Sequence, residues 1–291
     1  MGRHISGGMR RIAFRKMHGL GNDFVVIDMR REAAAIDGAA ARALADRHTG
    51  IGCDQVILIE KPHDPAAQIF MRILNADGSE AAACGNGARC IARLVAEETG
   101  ERHVRLETVA GLLDAELLPD RRVAVDMGPA RTGWRDIPLA RAMDTLCVDL
   151  AAGALASPVC TSIGNPHATF FVGDADAVDL AALGPLLEHD TLFPERANIG
   201  VATVCDPERI RLRVWERGAG ITQACGSGAC AALVAAHRRG LTGRHATVAL
   251  DGGDLDILWR PDNEEERGHV IMTGPATLAF KGSVDATLLA G

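Results

Sequence analysis

The six residues ACGNGA, from Ala83 to Ala88, recur almost unchanged as ACGSGA, from Ala224 to Ala229. Each copy is followed by an alanine-rich stretch that lacks proline and ends at a glycine. Such stretches favour a helix, and glycine suits the left-handed residue that closes one. The repeat therefore predicts two helices, from about Gly85 to Gly100 and from about Gly226 to Gly240. Both are apolar on most sides, so we expect them to be buried.

Strand-like segments follow both predicted helices in matching order. Apolar and polar residues alternate within them, which is typical of strands with one buried face. They are HVRLETV (103–109), LLDAELL (112–118) and RRVAVDMGPA (121–130) in the first half, and HATVALD (245–251), DLDILWR (254–260) and HVIMTGPA (269–276) in the second. Upstream of the helices, LGNDFVVID (20–28) is echoed by IGNPHATFFVGD (163–174). The period of about 145 residues indicates a duplicated domain and not a solenoid.

Polar residues upstream of the two cysteines recur in register with them. Three pairs stand at nearly equal distances from Cys84 and Cys225: Asn22 and Asn165, Gln55 and Asn198, and Asn75 and Glu216. Two similar halves are most simply related by a pseudo-twofold axis, which would bring equivalent loops to one cleft. We therefore divide the chain into an N-terminal half, 1–130, and a C-terminal half, 131–274. The tail, 275–291, has no counterpart, and we expect it to add a strand that completes the N-terminal half.

The composition limits the class of protein. Hydrophobic residues make up 47 % of the 291, aromatic residues only 3 %, and tyrosine is absent, which predicts an aliphatic core. The formal charge is −7, and no run of Lys or Arg suggests binding to nucleic acid or to a membrane surface. No apolar stretch reaches the roughly 18 residues of a transmembrane helix. Eight cysteines in a chain of this length favour a reducing cytoplasm over a disulfide framework.

The first residues lack the apolar region of a secretory signal. We expect residues 1–8 to form a flexible leader, with Met9 as an alternative start.

A cysteine directly before a helix has a particular chemical environment. Cys84 and Cys225 face the unpaired N–H groups and the positive dipole end of the predicted helices, and both effects lower the pKa of a thiol. The residues that follow are small enough for a carboxylate to approach those N–H groups: Gly85, Asn86, Gly226 and Ser227. Each half is thus expected to supply a reactive sulfur beside half of an anion site.

Two such sulfurs on opposite sides of one carbon can invert a stereocentre. One thiolate removes a proton from one face, the other thiol delivers a proton to the opposite face, and aligned N–H dipoles stabilise the developing carbanion. A pyridoxal cofactor would need a lysine for its Schiff base, and Lys16, Lys61 and Lys281 lie in no phosphate-binding motif. We therefore predict inversion without a cofactor. No metal is expected, since the cysteines lack the C-x2-C spacing typical of zinc sites.

Longer motifs carry a resemblance to a known family. They are KMHGLGNDFVVID (16–28), GIGCDQ (50–55), NADGSEAAACGNGARC (75–90), GNPHATFF (164–171), ANIG (197–200) and WERGAGITQACGSGAC (215–230). From about Met9 onward the chain resembles the diaminopimelate epimerases. The resemblance implies a pyridoxal-independent, two-base epimerase that interconverts LL- and meso-2,6-diaminopimelate for lysine and peptidoglycan synthesis.

The same resemblance implies a fold and an assembly. The expected fold is α/β, of the α+β type, with two pseudo-symmetric domains. Each domain is a curled mixed or antiparallel sheet wrapped around a central helix, and the active site lies in the cleft between them. The expected assembly is a cytoplasmic homodimer that binds a small-molecule amino-acid substrate.

Roles for individual residues also follow from the resemblance. Cys84 and Cys225 match the acid–base pair, Glu216 matches a catalytic residue that also binds near the reacting amino group, and His167 matches a neighbour that tunes the protonation of a cysteine. The site of the reacting carboxylate is matched by Gly85, Asn86, Gly226 and Ser227. Further binding residues, several at the distal end of the substrate, are Asn22, Gln55, Asn75, Asn165, Asn198 and Arg217. Amides can bind both the ammonium and the carboxylate of that end, and an Arg fork suits the carboxylate.

Two other functions remain open from the residues alone. A proline or hydroxyproline racemase-like enzyme would share the fold and the cysteine pair but take a smaller substrate. A non-catalytic ligand-binding or redox protein would use the same cleft and show no exchange of substrate hydrogen with solvent. Cys90 and Cys230 lie within the predicted helices, and we expect them to be core residues.

Overall fold

The computed structural model describes residues 11–31, 36–261 and 268–289. The expected leader, 1–8, and the alternative start at Met9 lie outside these residues. The chain forms two compact units. The described residues of unit 1 fall within 11–19, 23–112 and 276–289, and those of unit 2 within 20–22 and 113–275.

Helices and strands follow one another along the chain in a repeating order. Up to residue 129 they are β1 (Arg11–Gly19), β2 (Asn22–Asp28), α1 (Gly38–Ala45), β3 (Gln55–Glu60), β4 (Ile69–Asn75), β5 (Glu80–Ala81), α2 (Gly85–Thr99), β6 (His103–Thr108), β7 (Gly111–Leu117) and β8 (Val123–Pro129). The remaining elements are β9 (Ala151–Ala152), β10 (Leu155–Ala156), β11 (Val159–Ser162), β12 (Pro166–Phe171), α3 (Leu180–Glu188), β13 (Asn198–Asp206), β14 (Arg209–Glu216), β15 (Gly220–Ile221), α4 (Gly226–Arg238), β16 (His245–Leu250), β17 (Gly253–Pro261), β18 (Gly268–Gly274), β19 (Thr277–Asp285) and a 3-10 turn (Ala286–Leu289).

Unit 1 contains a mixed sheet around α2. β2 and β3 run parallel, β3 and β4 antiparallel, and β4 is parallel to β6. β1 pairs with the C-terminal strand β19, antiparallel, from Arg11 opposite Asp285. The tail therefore forms a strand beside β1, and the expectation that it completes the N-terminal half stays a prediction. An aliphatic core that includes Val25, Leu44 and Leu58 fills the space under α1.

Unit 2 has the same succession of pairings. β12 and β13 run parallel, β13 and β14 antiparallel, and β14 is parallel to β16. Antiparallel pairings then continue through β17, β18, β8 and β7. The central helix α4 contacts seven strands of the unit, and every side chain from Ala229 to Ala236 is fully buried. The predicted α/β class is confirmed, and the duplication seen in the sequence reappears as a duplicated pairing order.

Both predicted helices begin and end where the glycines indicated. α2 closes at Gly100, which has a φ of 79°. α4 closes with the amides of Gly240 and Leu241 bonded to His237 O and Ala236 O, and Gly240 has a φ of 69°. This pattern is a Schellman motif, in which a left-handed residue is required. The burial of α2 is less complete than expected, because its last turn, Glu97–Thr99, faces solvent.

The division of the chain near residue 130 stays a prediction.

The alternating strand segments lie within two residues of the observed strands β6, β7, β8, β16, β17 and β18.

Candidate active site

Each of the two repeated cysteines caps the N-terminus of a helix. Cys84 has an extended backbone (φ −150°, ψ 109°), and its sulfur accepts the N–H of Gly87 at 3.4 Å. Cys225 has nearly the same conformation (φ −110°, ψ 105°), and its sulfur accepts the N–H of Gly228 at 3.3 Å. An N-cap side chain normally satisfies an N–H of the first turn, where the dipole also favours negative charge. Both helix starts can therefore stabilise a thiolate.

The surroundings of Cys225 oppose ionisation in spite of this cap. Cys225 is 3 % exposed. Burial raises the pKa of its thiol well above the ordinary value, and the negative charge of Glu216 raises it further, whereas the N–H of Gly228 and the hydroxyl of Ser227 act in the opposite direction. The prediction of a lowered pKa is therefore wrong for Cys225, because removing the thiolate from water costs more than the helix start returns.

His167 lies in a small polar cluster next to Cys225. Its Nε2 is 3.0 Å from Asn165 Oδ1 and 3.0 Å from Ser227 Oγ, and Asn165 Nδ2 donates to Ser227 Oγ at 3.3 Å. Burial, together with the positive charge of Arg217, lowers the pKa of His167 to about 3. The imidazole is thus neutral near pH 7, and the acceptor Asn165 Oδ1 favours the tautomer that carries the proton on Nε2.

This arrangement orients the hydroxyl of Ser227. The Ser227 oxygen accepts a hydrogen bond from the Asn165 amide. The Ser227 hydroxyl proton is therefore available for donation to Cys225 Sγ, which lies 3.7 Å away. A hydroxyl aimed at the sulfur stabilises the thiolate form.

Glu216 and Arg217 lie at the end of β14, on a turn held from several sides. Glu216 Oε1 accepts the hydroxyl of Thr222 at 2.5 Å. The backbone N–H of Arg217 donates to Asn198 Oδ1 at 2.9 Å, and the Asn198 amide donates to Pro166 O at 3.0 Å. The Arg217 guanidinium donates to Glu195 O at 2.8 Å. Asn198 thus supports this turn with its side chain, a role that its position in the sequence did not indicate.

The polar residues of unit 1 form a separate chain of amides. Gln55 Nε2 donates to Asn75 Oδ1 at 2.8 Å, and Asn75 Nδ2 donates to Ser79 Oγ at 3.0 Å. Gln55 Oε1 is buried and has no hydrogen-bond partner within the described residues. It is therefore an acceptor available to an N–H donor of a ligand. Asn86 is buried in the first turn of α2.

Apart from Asn22, the predicted residues divide into two groups according to the unit in which they lie. The group in unit 2 contains Asn165, His167, Asn198, Glu216, Arg217, Cys225, Gly226 and Ser227. The group in unit 1 contains Gln55, Asn75, Cys84, Gly85 and Asn86. Asn22 is the first residue of β2. Sequence reasoning missed Thr222 and Ser79, each of which lies within six residues of a predicted site residue.

A charged cluster supports the start of β2 and β3. Asp23 is paired with Lys16 at 2.5 Å and with Arg47 at 2.7 Å. Asp23 and Asp54 each accept the backbone N–H of the other at 3.0 Å. Asp54 directly precedes Gln55, so the cluster fixes the backbone from which that side chain extends.

The described residues also bear on metals and membranes. No group of three or more His, Cys, Asp or Glu among them is arranged to hold a metal ion. Among the helices that the structure describes, none is both long enough and apolar enough to span a membrane.

Solved structures share this fold. A probable proline racemase from Agrobacterium radiobacter K84 superposes with a TM-score of 0.69 over 94 % of this chain and 92 % of its own, at 18 % sequence identity. At that identity the likeness shows the fold alone.

Curated relatives are much closer in sequence. The diaminopimelate epimerase of Rhodospirillum centenum is 62 % identical over 278 residues, covering 96 % of this chain and 94 % of its own. That of Acidiphilium cryptum is 58 % identical over 277 residues, covering 95 % and 98 %. The model of the diaminopimelate epimerase family matches residues 14–133 and 159–279. The chain belongs to this family and is an epimerase, an enzyme of the isomerase class.

Proposed function

We propose that the protein converts LL-2,6-diaminopimelate into meso-2,6-diaminopimelate by a two-base mechanism, without pyridoxal phosphate. The observation that carries the proposal is the identical placement of Cys84 and Cys225, each an N-cap whose sulfur accepts the N–H three residues on. The relatives that bear the name diaminopimelate epimerase support the choice of substrate.

The proton transfers balance between the two sulfurs. The thiolate of one cysteine takes the α-hydrogen and becomes a thiol, and the other thiol gives its proton to the opposite face of the same carbon and becomes a thiolate. Burial raises the pKa of the Cys225 thiol, which favours Cys225 as the proton donor in one direction of the reaction. Cys84 is then the base in that direction, and the two cysteines exchange roles in the reverse reaction.

Glu216 favours the thiol form of Cys225. Its carboxylate interacts with the Cys225 thiol by charge and by hydrogen bond, and both raise the pKa of that thiol. In the proposed mechanism Glu216 accepts a hydrogen bond from the thiol and binds the ammonium on the reacting carbon. The neutral His167 acts through Ser227, whose hydroxyl stabilises the thiolate once Cys225 has given its proton.

The carbanion needs electrostatic stabilisation, which the helix starts can provide. We propose that the reacting carboxylate binds the N–H groups at Gly85, Asn86, Gly226 and Ser227. Aligned N–H dipoles in a site that excludes water stabilise the negative charge that develops on that carboxylate. We propose that Asn22, Gln55, Asn75, Asn165, Asn198 and Arg217 bind the substrate and that several of them hold its distal ammonium and carboxylate.

The decisive experiment measures exchange at the α-carbon. Reduced protein is incubated with LL-diaminopimelate in D2O without pyridoxal, and α-deuterium and meso product are followed by NMR. We expect deuterated meso product from the wild type and a loss of at least about 100-fold in Cys84→Ser and in Cys225→Ser, in line with the usual effect of removing an acid–base group. Cys147→Ser, at an exposed cysteine with no assigned role, is the control and should retain activity.

Other outcomes select the alternatives. Exchange with proline or hydroxyproline but not with diaminopimelate would keep the mechanism and reject the substrate. No exchange with any amino acid would reject catalysis and favour a ligand-binding protein.

We also propose that the protein is a cytoplasmic homodimer in lysine and peptidoglycan synthesis. The mechanism needs two reduced thiols, which suits a reducing compartment. Light scattering on the reduced protein should give about twice the 30.7 kDa of the chain; a monomer mass at catalytic concentrations would reject the dimer.

A further inference from the structure

Glu188 is a buried acid to which the proposed reaction gives no role. It ends α3 and is 2 % exposed. Its Oε2 accepts the indole N–H of Trp215 at 2.7 Å, and its Oε1 accepts the backbone N–H of Gly218 at 3.0 Å. Arg196, which is half exposed, approaches Oε1 at 3.5 Å. Both carboxylate oxygens are therefore engaged, each by one well-placed N–H donor.

The two donors flank the residues that carry chemistry. Trp215 directly precedes Glu216, and Gly218 directly follows Arg217. Within the turn, the N–H of Ala219 donates to Glu216 O at 3.0 Å, and Gly218 has a φ of 76°. Asn198 holds the remaining N–H, that of Arg217, at 2.9 Å. The Glu188 carboxylate thus accepts hydrogen bonds from the residues on both sides of the Glu216–Arg217 segment.

Trp215 is held in place by its packing against α3 as well as by the hydrogen bond. A Cβ on Gly184, one turn before Glu188 in α3, would lie only 2.5 Å from the indole ring. The ring therefore lies flat against the backbone of α3, and the hydrogen bond to Glu188 fixes its rotation. A shift of Glu188 would be transmitted to Trp215 and from there to Glu216.

We infer that Glu188 is a positioning residue, which holds the Glu216–Arg217 turn so that the Glu216 carboxylate stays beside Cys225 and Arg217 stays oriented toward substrate. That this turn contributes to catalysis rests on the proposed function. That Glu188 holds the turn rests on the hydrogen bonds alone. Glu188 touches no reacting atom and acts only through its two N–H donors.

Because both oxygens of the Glu188 carboxylate accept hydrogen bonds, a substitution by glutamine tests the inference directly. Glutamine has the same shape as glutamate but only one acceptor oxygen, so one of the two N–H groups would face an NH2 group. Glu188→Gln should therefore make the turn more mobile without leaving a cavity at position 188. Trp215→Phe removes one donor and leaves the carboxylate in place, and it serves if Glu188→Gln does not fold. Arg196→Gln is the matched control, since it removes the 3.5 Å ion pair to Glu188 Oε1 and leaves both N–H donors in place.

Two readouts separate positioning from a general loss of stability. In hydrogen–deuterium exchange we expect Glu188→Gln to lose protection in peptides covering 216–221 and to keep it in α4. In kinetics we expect kcat for diaminopimelate to fall about tenfold, equal to about 1.4 kcal/mol in the barrier, and the pH profile of kcat to shift, because Glu216 no longer stands at a fixed distance from Cys225. Trp215→Phe should change both in the same direction, and Arg196→Gln should change neither.

The outcomes distinguish this inference from the proposed function. An active wild type with Glu188→Gln unchanged in kcat, pH profile and local exchange overturns the inference and leaves the function standing. An inactive wild type overturns the proposed function, and the exchange data alone then decide whether Glu188 holds the turn. Uniform loss of protection in Glu188→Gln, with no local effect in Trp215→Phe, means that Glu188 merely stabilises the unit, and also overturns the inference.

Discussion

At the scale of single residues, the glycine at 228 is required by the sulfur next to it. A Cβ there would lie 3.1 Å from Cys225 Sγ and 3.1 Å from Val214 Cγ2. Both distances are shorter than ordinary van der Waals contact, and the neighbours are themselves buried. Glycine at position 228 leaves room for the Cys225 sulfur beside the first turn of α4.

We expect Gly228→Ala to displace the Cys225 sulfur and reduce epimerisation about tenfold or more. Overpacking a buried site by one methyl group costs about 1–3 kcal/mol, so the protein should remain folded. Activity assays and thermal melts of the variant test this together. The control is Gly243→Ala, where a Cβ meets no atom within 4 Å. Wild-type activity in Gly228→Ala would show that the sulfur position is not critical.

The pKa of Cys225 illustrates what single residues in a sequence do not reveal. The cap and the dipole were predictable, because they depend on the helix that starts at the cysteine. The depth of burial was not, because it comes from strands far away in the chain. Desolvation outweighs the local effect, so the predicted direction was wrong.

At the scale of elements, the starts of β2 and β3 are joined by a charge cluster. Burial acts to raise the pKa of Asp23, but hydrogen bonds from Arg47 and Lys16 outweigh it and lower the pKa to about 2. A carboxyl group with a lowered folded-state pKa stabilises the fold above its unfolded pKa of about 4. That contribution is lost as the pH falls from about 4 toward 2.

We expect Asp23→Asn to lower the free energy of unfolding by about 1–2 kcal/mol at pH 7, a value reduced for the exposure of Arg47 to water. Near pH 2 the difference from wild type should shrink. Urea unfolding at pH 7 and at low pH measures both values. Asp149→Asn, at an exposed position, should show neither effect. A difference that does not depend on pH would point to lost packing and not to the lost charge.

Elements were also the scale at which the sequence was most informative. The starts and ends of α2 and α4 were predictable because the capping cysteines and the closing glycines act within a few residues. Six strands followed from alternation of apolar and polar side chains: β6, β7, β8, β16, β17 and β18. The two-residue strands of the described residues, β5, β9, β10 and β15, were missed, since a pattern of period two cannot show itself in two residues.

At the scale of the whole molecule, the duplication was the most informative signal. It predicted two equivalent helices that each begin after a cysteine, and each unit contains one of them, α2 after Cys84 and α4 after Cys225. The contacts of Glu188 with Trp215 and Gly218 could not be predicted. They join residues 27 and 30 positions apart, and only the packing of α3 against β14 brings them together.

The pairing of β1 with β19 has a consequence for how the protein is made. The two strands are far apart in the chain, since the bonded side chains of Arg11 and Ser283 are 272 positions apart, so β19 leaves the ribosome long after β1. At about 5–20 residues per second, β1 waits on the order of tens of seconds with one edge open. Nearly all of unit 2 is contiguous and can fold during that interval, whereas unit 1 closes only after β19 has been made. A chain cut short before Thr277 would retain Cys84 and Cys225 yet leave an open strand edge, and such edges recruit other chains into aggregates.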